Sequence, residues 1–232
     1  MTQLIKKGNV IINKLLSNRY EIIIDKTFLY KNYVNHIHNL LSRHLDINNK
    51  IKDNKTIFNL KLDSVITLSN LLKEKKHKLS YHHAQLLFKH FVSTINALNN
   101  DNISMYNINM SNIIVLNTEK TKFKTIFLYI NTNDFKIINN NHINIDEMVD
   151  KNNIFISPEL YDLNTIPKSI HINTIYFSIA SLISYCLKKF NDNNHDKLFY
   201  LKHLDIIQDT KLYWALLRCL NHNPDDRYAI FI

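Results

Sequence analysis

Ile156-Ser157-Pro158-Glu159-Leu160-Tyr161, taken with the distant Asn223-Pro224-Asp225-Asp226-Arg227, decides how the rest of the chain is read. The two stretches read as the ends of one ion pair. The guanidinium of Arg227 presents a rigid fork that the Glu159 carboxylate can accept bidentately, and removing one partner of such a buried pair costs roughly 3–5 kcal/mol. An isolated Glu after a proline turn and an isolated Arg would more simply be exposed charges of little energetic weight.

The chain has 232 residues, 45% hydrophobic and 11% aromatic, enough to bury one good core or two small ones. No apolar run approaches the ~20 residues of a membrane span and no signal-peptide pattern opens the chain, so an intracellular, cytoplasmic protein without a membrane partner is expected. Cys186 and Cys219 have neither disulfide nor zinc spacing, and both fall in apolar helical patterns where buried free thiols belong. Asn, Ile and Lys are abundant, whereas there is one glycine, Gly8, with three prolines and five alanines. Such a composition suggests an AT-rich source, a large DNA virus or a unicellular parasite. The net charge of +9 follows in part from that coding bias, which weakens it as a pointer to an anionic partner.

Along the chain, Asn9 to Leu16 is apolar-rich, Tyr20 to Lys26 is strand-like, and Phe28 to Leu45 carries helical spacing, with Thr27 as a possible cap and Asp46 at its end. A strand over Thr56–Leu62 leads through Asp63-Ser64 into Ile66 to Leu72, followed by the charged turn Lys73 to Lys78. Ser80 caps the clearest helix, whose apolar positions run from Ala84 to Leu98. A short strand is expected at Ile113 to Leu116 and another at Thr125 to Ile130. Asn139 to Asn153 reads as a polar loop and Ile172 to Phe190 as an apolar helix. The histidines, among them His36, His38, His82, His83 and His90, lack a Cys or Glu at ligand spacing, so no metal site is expected.

This order, together with Ser157-Pro158-Glu159 and Cys219-Leu220 through Pro224 to Arg227, resembles protein kinases of the eukaryotic type. There an A-P-E tripeptide pairs with the Arg of C-L-x-x-x-P-x-x-R. The resemblance implies an α+β fold, with a reduced N-lobe of few strands and one helix over residues 1–62 and a mainly helical C-lobe over 63–232. Pro158, Glu159 and Arg227 then carry structural roles. Ile103 to Leu116 resembles the catalytic loop and its following strand, with Asn112 on the metal-binding Asn and Asn107 on the catalytic Asp. Met105 and Tyr106 fall on the His and Arg before it, and Asn109 on the Lys. An amide at Asn107 cannot serve as a general base near neutral pH.

Two placements compete for the metal-binding D-F-G, Asp134-Phe135-Lys136 and Tyr129-Ile130-Asn131. Under the first, Asn112 and Asp134 could still hold a nucleotide-bound Mg²⁺, although an ordinary turn role suits Asp134 better. Gly8 supplies no glycine-rich phosphate cradle. The strand lysine would be Lys26 or nothing, and no acid stands between Lys26 and Asp46 to hold it. Ile175 occupies the place of the Asp that anchors the catalytic loop, and helix G is short or lost between Asn191 and Thr210. The resemblance therefore implies a pseudokinase, not an enzyme, with no cofactor and a protein partner such as a kinase or its substrate. The alternative is a basic nucleic-acid-binding protein using Lys73, Lys75 and Lys76, and a divergent active Ser/Thr kinase ranks third.

Overall fold

Strands and helices interleave along the chain, and helices alone follow His171, in a computed structural model that describes residues 1–25, 31–45, 47–76, 78–118, 124–191 and 197–229. The chain is α+β with antiparallel sheets. Strands β1 (Thr2–Lys7), β2 (Val10–Leu16), β3 (Arg19–Asp25), β4 (Asn48–Lys52) and β5 (Lys55–Lys61) form a five-stranded sheet in the order β1-β2-β3-β5-β4. Alternation divides its faces. Tyr20, Ile22 and Ile24 of β3 lie opposite Leu60, Phe58 and Thr56 of β5, and all six are buried.

Helix α1 (Lys31–Ser42) adds Tyr33, Val34, Ile37, Leu40 and Leu41 to the buried core. Its orphan N–H groups are met from far away in sequence. The Asp101 carboxylate accepts from Asn32 N (2.9 Å) and Tyr33 N (3.1 Å), capping the helix with a charge that also suits its dipole. The expected cap Thr27, the start of the helical pattern at Phe28, the terminator Asp46 and the candidate lysine Lys26 lie outside the described residues.

Strand β6 (Ser64–Thr67) enters α2 (Leu68–Glu74), whose first turn is capped by the Thr67 hydroxyl accepting from Asn70 N. Helix α3 (Tyr81–Asn99) starts at the expected Ser80 cap, with Ala84, Leu87, Phe88, Phe91, Ile95 and Leu98 buried. It packs against β9 (Lys124–Tyr129), the edge of a second sheet ordered β6-β8-β9 with β8 (Ile113–Thr118) in the middle. His90 lies in that contact. Its Nδ1 accepts from Phe127 N (3.1 Å), and burial first, then neighbouring His44, His36 and Lys89, lowers its pKa to about 4.

A third sheet was not expected. Strands β7 (Ile103–Met105), β10 (Phe135–Asn139), β11 (His142–Ile145) and β12 (Lys168–His171) are ordered β12-β11-β10-β7. The segment read as a polar loop from Asn139 therefore carries a strand whose Ile143 and Ile145 face a small second core with Tyr106, Ile156, Leu160, Leu163 and Ile170. Helix α4 (Pro158–Tyr161) sits on that core. Helix α5 (Thr174–Leu187) is buried on nearly all sides, and α6 (Lys197–Leu204) and α7 (Lys211–Cys219) pack on it.

One sequence expectation needs adjusting. The N-terminal sheet holds five strands rather than few, because the outer strands β1 and β4 are mostly exposed and lack the apolar alternation that marks a half-buried strand. Among the described residues from 63 onward, seven strands accompany the helices, which still hold the larger share. Cys186 and Cys219 are buried free thiols, and burial pushes Cys219 up to about 12. Among the described residues no helix is long and apolar enough to cross a membrane.

Candidate functional site

Pro158 opens α4 at its first position, where a missing N–H costs nothing, and holds Glu159 in the first turn. Asn223 caps the 3-10 turn Pro224–Asp226 by accepting from Asp225 N, which delivers Arg227 from the other side. The two meet, with Arg227 Nη1 2.5 Å from Glu159 Oε1 and the Arg227 side chain fully buried. The contact is single rather than forked. Nε and Nη2 are committed to the carbonyls of Asn221 and His222, each at 2.6 Å. The guanidinium also lies over the Phe177 ring of α5, 5.2 Å from its centroid. Asn173, at the start of α5, donates to the carbonyls of Pro224 and Arg227 (3.1 Å each). Burial lowers the Arg227 pKa and the Glu159 carboxylate opposes the shift. The charge remains, held in place by one carboxylate, two carbonyls and an aromatic face.

A second cluster forms where the chain passes from β7 to β8 and from β9 to β10. Asn112 Nδ2 lies 3.5 Å from Asp134 Oδ2, which also accepts from Asn131 Nδ2 at 2.6 Å and, closer still, from the Tyr129 hydroxyl. The structure thus brings Asn112 and Asp134 together, and it unites the two competing segments around one carboxylate. Asp134 lies in the 3-10 turn Thr132–Asp134, as a turn residue would, and its side chain is buried. Burial raises its pKa, partly offset by the hydrogen bonds from Tyr129 and the neighbouring amides. The Tyr129 hydroxyl is pushed well up by burial and by the Asp134 charge.

Asn107 and Asn109 do structural work. The Asn107 Oδ1 accepts from Asn153 Nδ2 (2.9 Å), and the same amide reaches Ile108 O (2.9 Å), so the chain near α4 is tied to the loop after β7. Asn109 Oδ1 caps the turn Met110–Asn112 by accepting from Ser111 N (2.9 Å). Tyr129 and Asn131 were expected only as a rival placement for D-F-G, not as partners of Asp134, and Asn153 was missed, since in an Asn-rich chain an amide at any one position carries little information.

The one glycine seals this cluster. Gly8 sits in the β1–β2 turn at φ +51°, and a Cβ there would come within 2.8 Å of Thr132 N. The next residue donates its backbone N–H to Thr132 Oγ1 (2.9 Å). Gly8 is thus required by both its left-handed backbone and its close approach. We expect Gly8→Ala to lower stability by about 1–2 kcal/mol in chemical denaturation. It should also speed amide hydrogen exchange at residues 131–134, because the turn must lift off them.

The donor set suits a divalent cation poorly. It offers one carboxylate, whose pKa burial raises and whose Oδ2 already accepts from Tyr129, Asn131 and Asn112, beside one amide oxygen, Asn112 Oδ1, that is buried without a hydrogen-bond partner. Among the described residues no three His, Cys, Asp or Glu side chains gather as metal ligands. Neither family models nor curated proteins match the sequence.

Proposed function

We propose that this chain is a protein kinase-like scaffold that has lost phosphotransfer and acts by binding another protein. The observation that carries the reading is the seating of the β1–β2 turn on Thr132, which shares one 3-10 turn with Asp134. In a nucleotide-using relative of the resemblance, the turn between these strands would stand off to admit phosphates. Here it is hydrogen-bonded down. Further support comes from the element order, the buried Glu159–Arg227 pair and the Asn107 amide, whose oxygen already accepts from Asn153. The β11–β12 pairing works the same way, tying down the stretch before α4 that a kinase would leave open to substrate.

The frame is kept and the chemistry is not, which leaves binding as its use. Incubation with labelled ATP and Mg²⁺ is expected to transfer no phosphate to the protein or to a generic substrate. Incorporation that disappears in Asp134→Asn would overturn the reading in favour of a divergent active kinase. A basic nucleic-acid-binding role is the second reading, favoured by the exposed Lys73, Lys75 and Lys76 at the end of α2. Its signature is affinity that falls steeply with salt.

A further inference from the structure

Helices α1 and α3 leave a groove of about 450 Å³ between them, and His36, Arg43, His44, Lys89 and His90 all line it. Neither helix carries an acidic residue, and among the described residues no acid lines the groove. Arg43 is exposed and pairs with no carboxylate among the described residues. The positive field reaches the rings inside. After burial, Arg43 lowers the His36 pKa, and His44, His36 and Lys89 lower that of His90 to about 4. Cationic groups thus converge on one concave place, and no described acid offsets them.

A buried donor already faces this groove. His90 is 7% exposed, and because its Nδ1 accepts from Phe127 N, the proton of the neutral ring sits on Nε2. That N–H meets no acceptor among the described residues, yet it stays open to the groove rather than sealed in the core. A donor so placed gains a hydrogen bond from any acceptor that enters. His36 adds no such donor. The Thr94 hydroxyl donates to His90 O (2.8 Å), so His36 Nε2 donates in turn to Thr94 Oγ1 (3.1 Å).

We propose that this groove binds a small phosphomonoester, its phosphate oxygens taken by the Arg43 guanidinium, the Lys89 ammonium and the His90 Nε2–H, and its organic part laid on Leu40 and Leu86. A phosphate suits the lining better than a carboxylate, because it brings three oxygens to three donors and a second negative charge. The volume falls among small-ligand pockets, about 300–1,000 Å³, and leaves room beyond the phosphate itself. No Phe, Tyr or Trp lines the groove to stack a base. A magnesium nucleotide is disfavoured by charge, since the cation it carries would face Arg43 and Lys89. The inference shares no residue with the Asp134 cluster and does not rest on the scaffold reading.

Isothermal titration calorimetry of the full chain with phenyl phosphate near neutral pH tests it. Saturable binding is expected, weakened at least about tenfold in Arg43→Gln, which loses a forked charge-assisted contact. Arg43 is exposed, so folding is not at risk. His90→Asn, which keeps an acceptor for Phe127 N–H, should weaken binding as well, because the shorter side chain withdraws the Nε2 donor. Lys211→Gln, an exposed charge on α7, should leave the affinity within about twofold, since a distant surface charge is screened. Inorganic phosphate and benzoate should each bind at least about tenfold more weakly, the first lacking the organic part and the second the third oxygen.

Absence of saturable binding would overturn the proposal, as would binding that ignores either Arg43→Gln or His90→Asn. Benzoate binding as tightly as phenyl phosphate would overturn the phosphate, and inorganic phosphate binding as tightly would overturn the organic part. Tighter capture of a phosphoserine hexapeptide would overturn the small molecule in favour of a modified protein. None of these readouts involves phosphotransfer, so failure here and failure of the scaffold reading are separately visible.

Discussion

Glu159→Ala should destabilise the protein by roughly 3–5 kcal/mol, because it leaves the fully buried Arg227 guanidinium without its counter-charge. The two carbonyls that Arg227 also binds carry only partial charge and cannot replace a carboxylate. Against a typical domain stability of about 5–15 kcal/mol, the loss should be plain in a urea titration. Arg227→Met removes the charge but orphans the carbonyls of Asn221 and His222, so it too should be costly. The double variant should cost less than the sum of the two, since the second substitution no longer strands a charge. The exposed Lys188–Asp205 pair is the control, and Asp205→Ala there should change stability by no more than about 0.5 kcal/mol.

Acid should destabilise the fold through His90. Its folded pKa of about 4 lies below the ordinary histidine value of 6.5, so the unfolded chain binds a proton over that interval while the folded one does not. Stability therefore falls as pH drops from about 6.5 to about 4, by about 3 kcal/mol at 1.36 kcal/mol per unit. Asp134 works in the opposite direction. Its raised pKa means that the folded state holds its proton longer, so its contribution declines as pH rises above the ordinary carboxyl range. Comparing denaturation curves of the wild type and His90→Asn separates the two, because Asn keeps an acceptor for Phe127 N–H and does not titrate. The variant should lose most of the pH slope between 6.5 and 4.

The parts of this molecule that could be read in the sequence are those where one signal was strong enough to stand alone. The capped, periodic α3 was legible from Ser80 and its apolar spacing, and α5 from an apolar stretch broken only by small hydroxyl residues. The Glu159–Arg227 pair was legible only through the resemblance of Ser157-Pro158-Glu159 and of Cys219-Leu220 through Pro224 to Arg227 to the paired kinase motifs. The β11 and β12 strands were not, because His142-Ile143-Asn144-Ile145 alternates over only four residues and its partner begins more than twenty residues later. The cluster around Asp134 was half legible. Asn112 followed from the resemblance of Ile103 to Leu116 to a kinase catalytic loop, but Tyr129, Asn131 and Asn153 become partners only through packing between segments. The cap on α1 by Asp101 is of the same kind, since nothing local to either residue announces it.

The scaffold reading proposed above puts the turn at Gly8 on the ground a nucleotide would need. Titrating the protein with ATP and Mg²⁺ while recording its melting temperature tests that most directly, because a ligand bound only by the folded state must raise it. The expected result is no shift at millimolar nucleotide. A saturable rise of several degrees that is lost in Asp134→Asn would contradict the account.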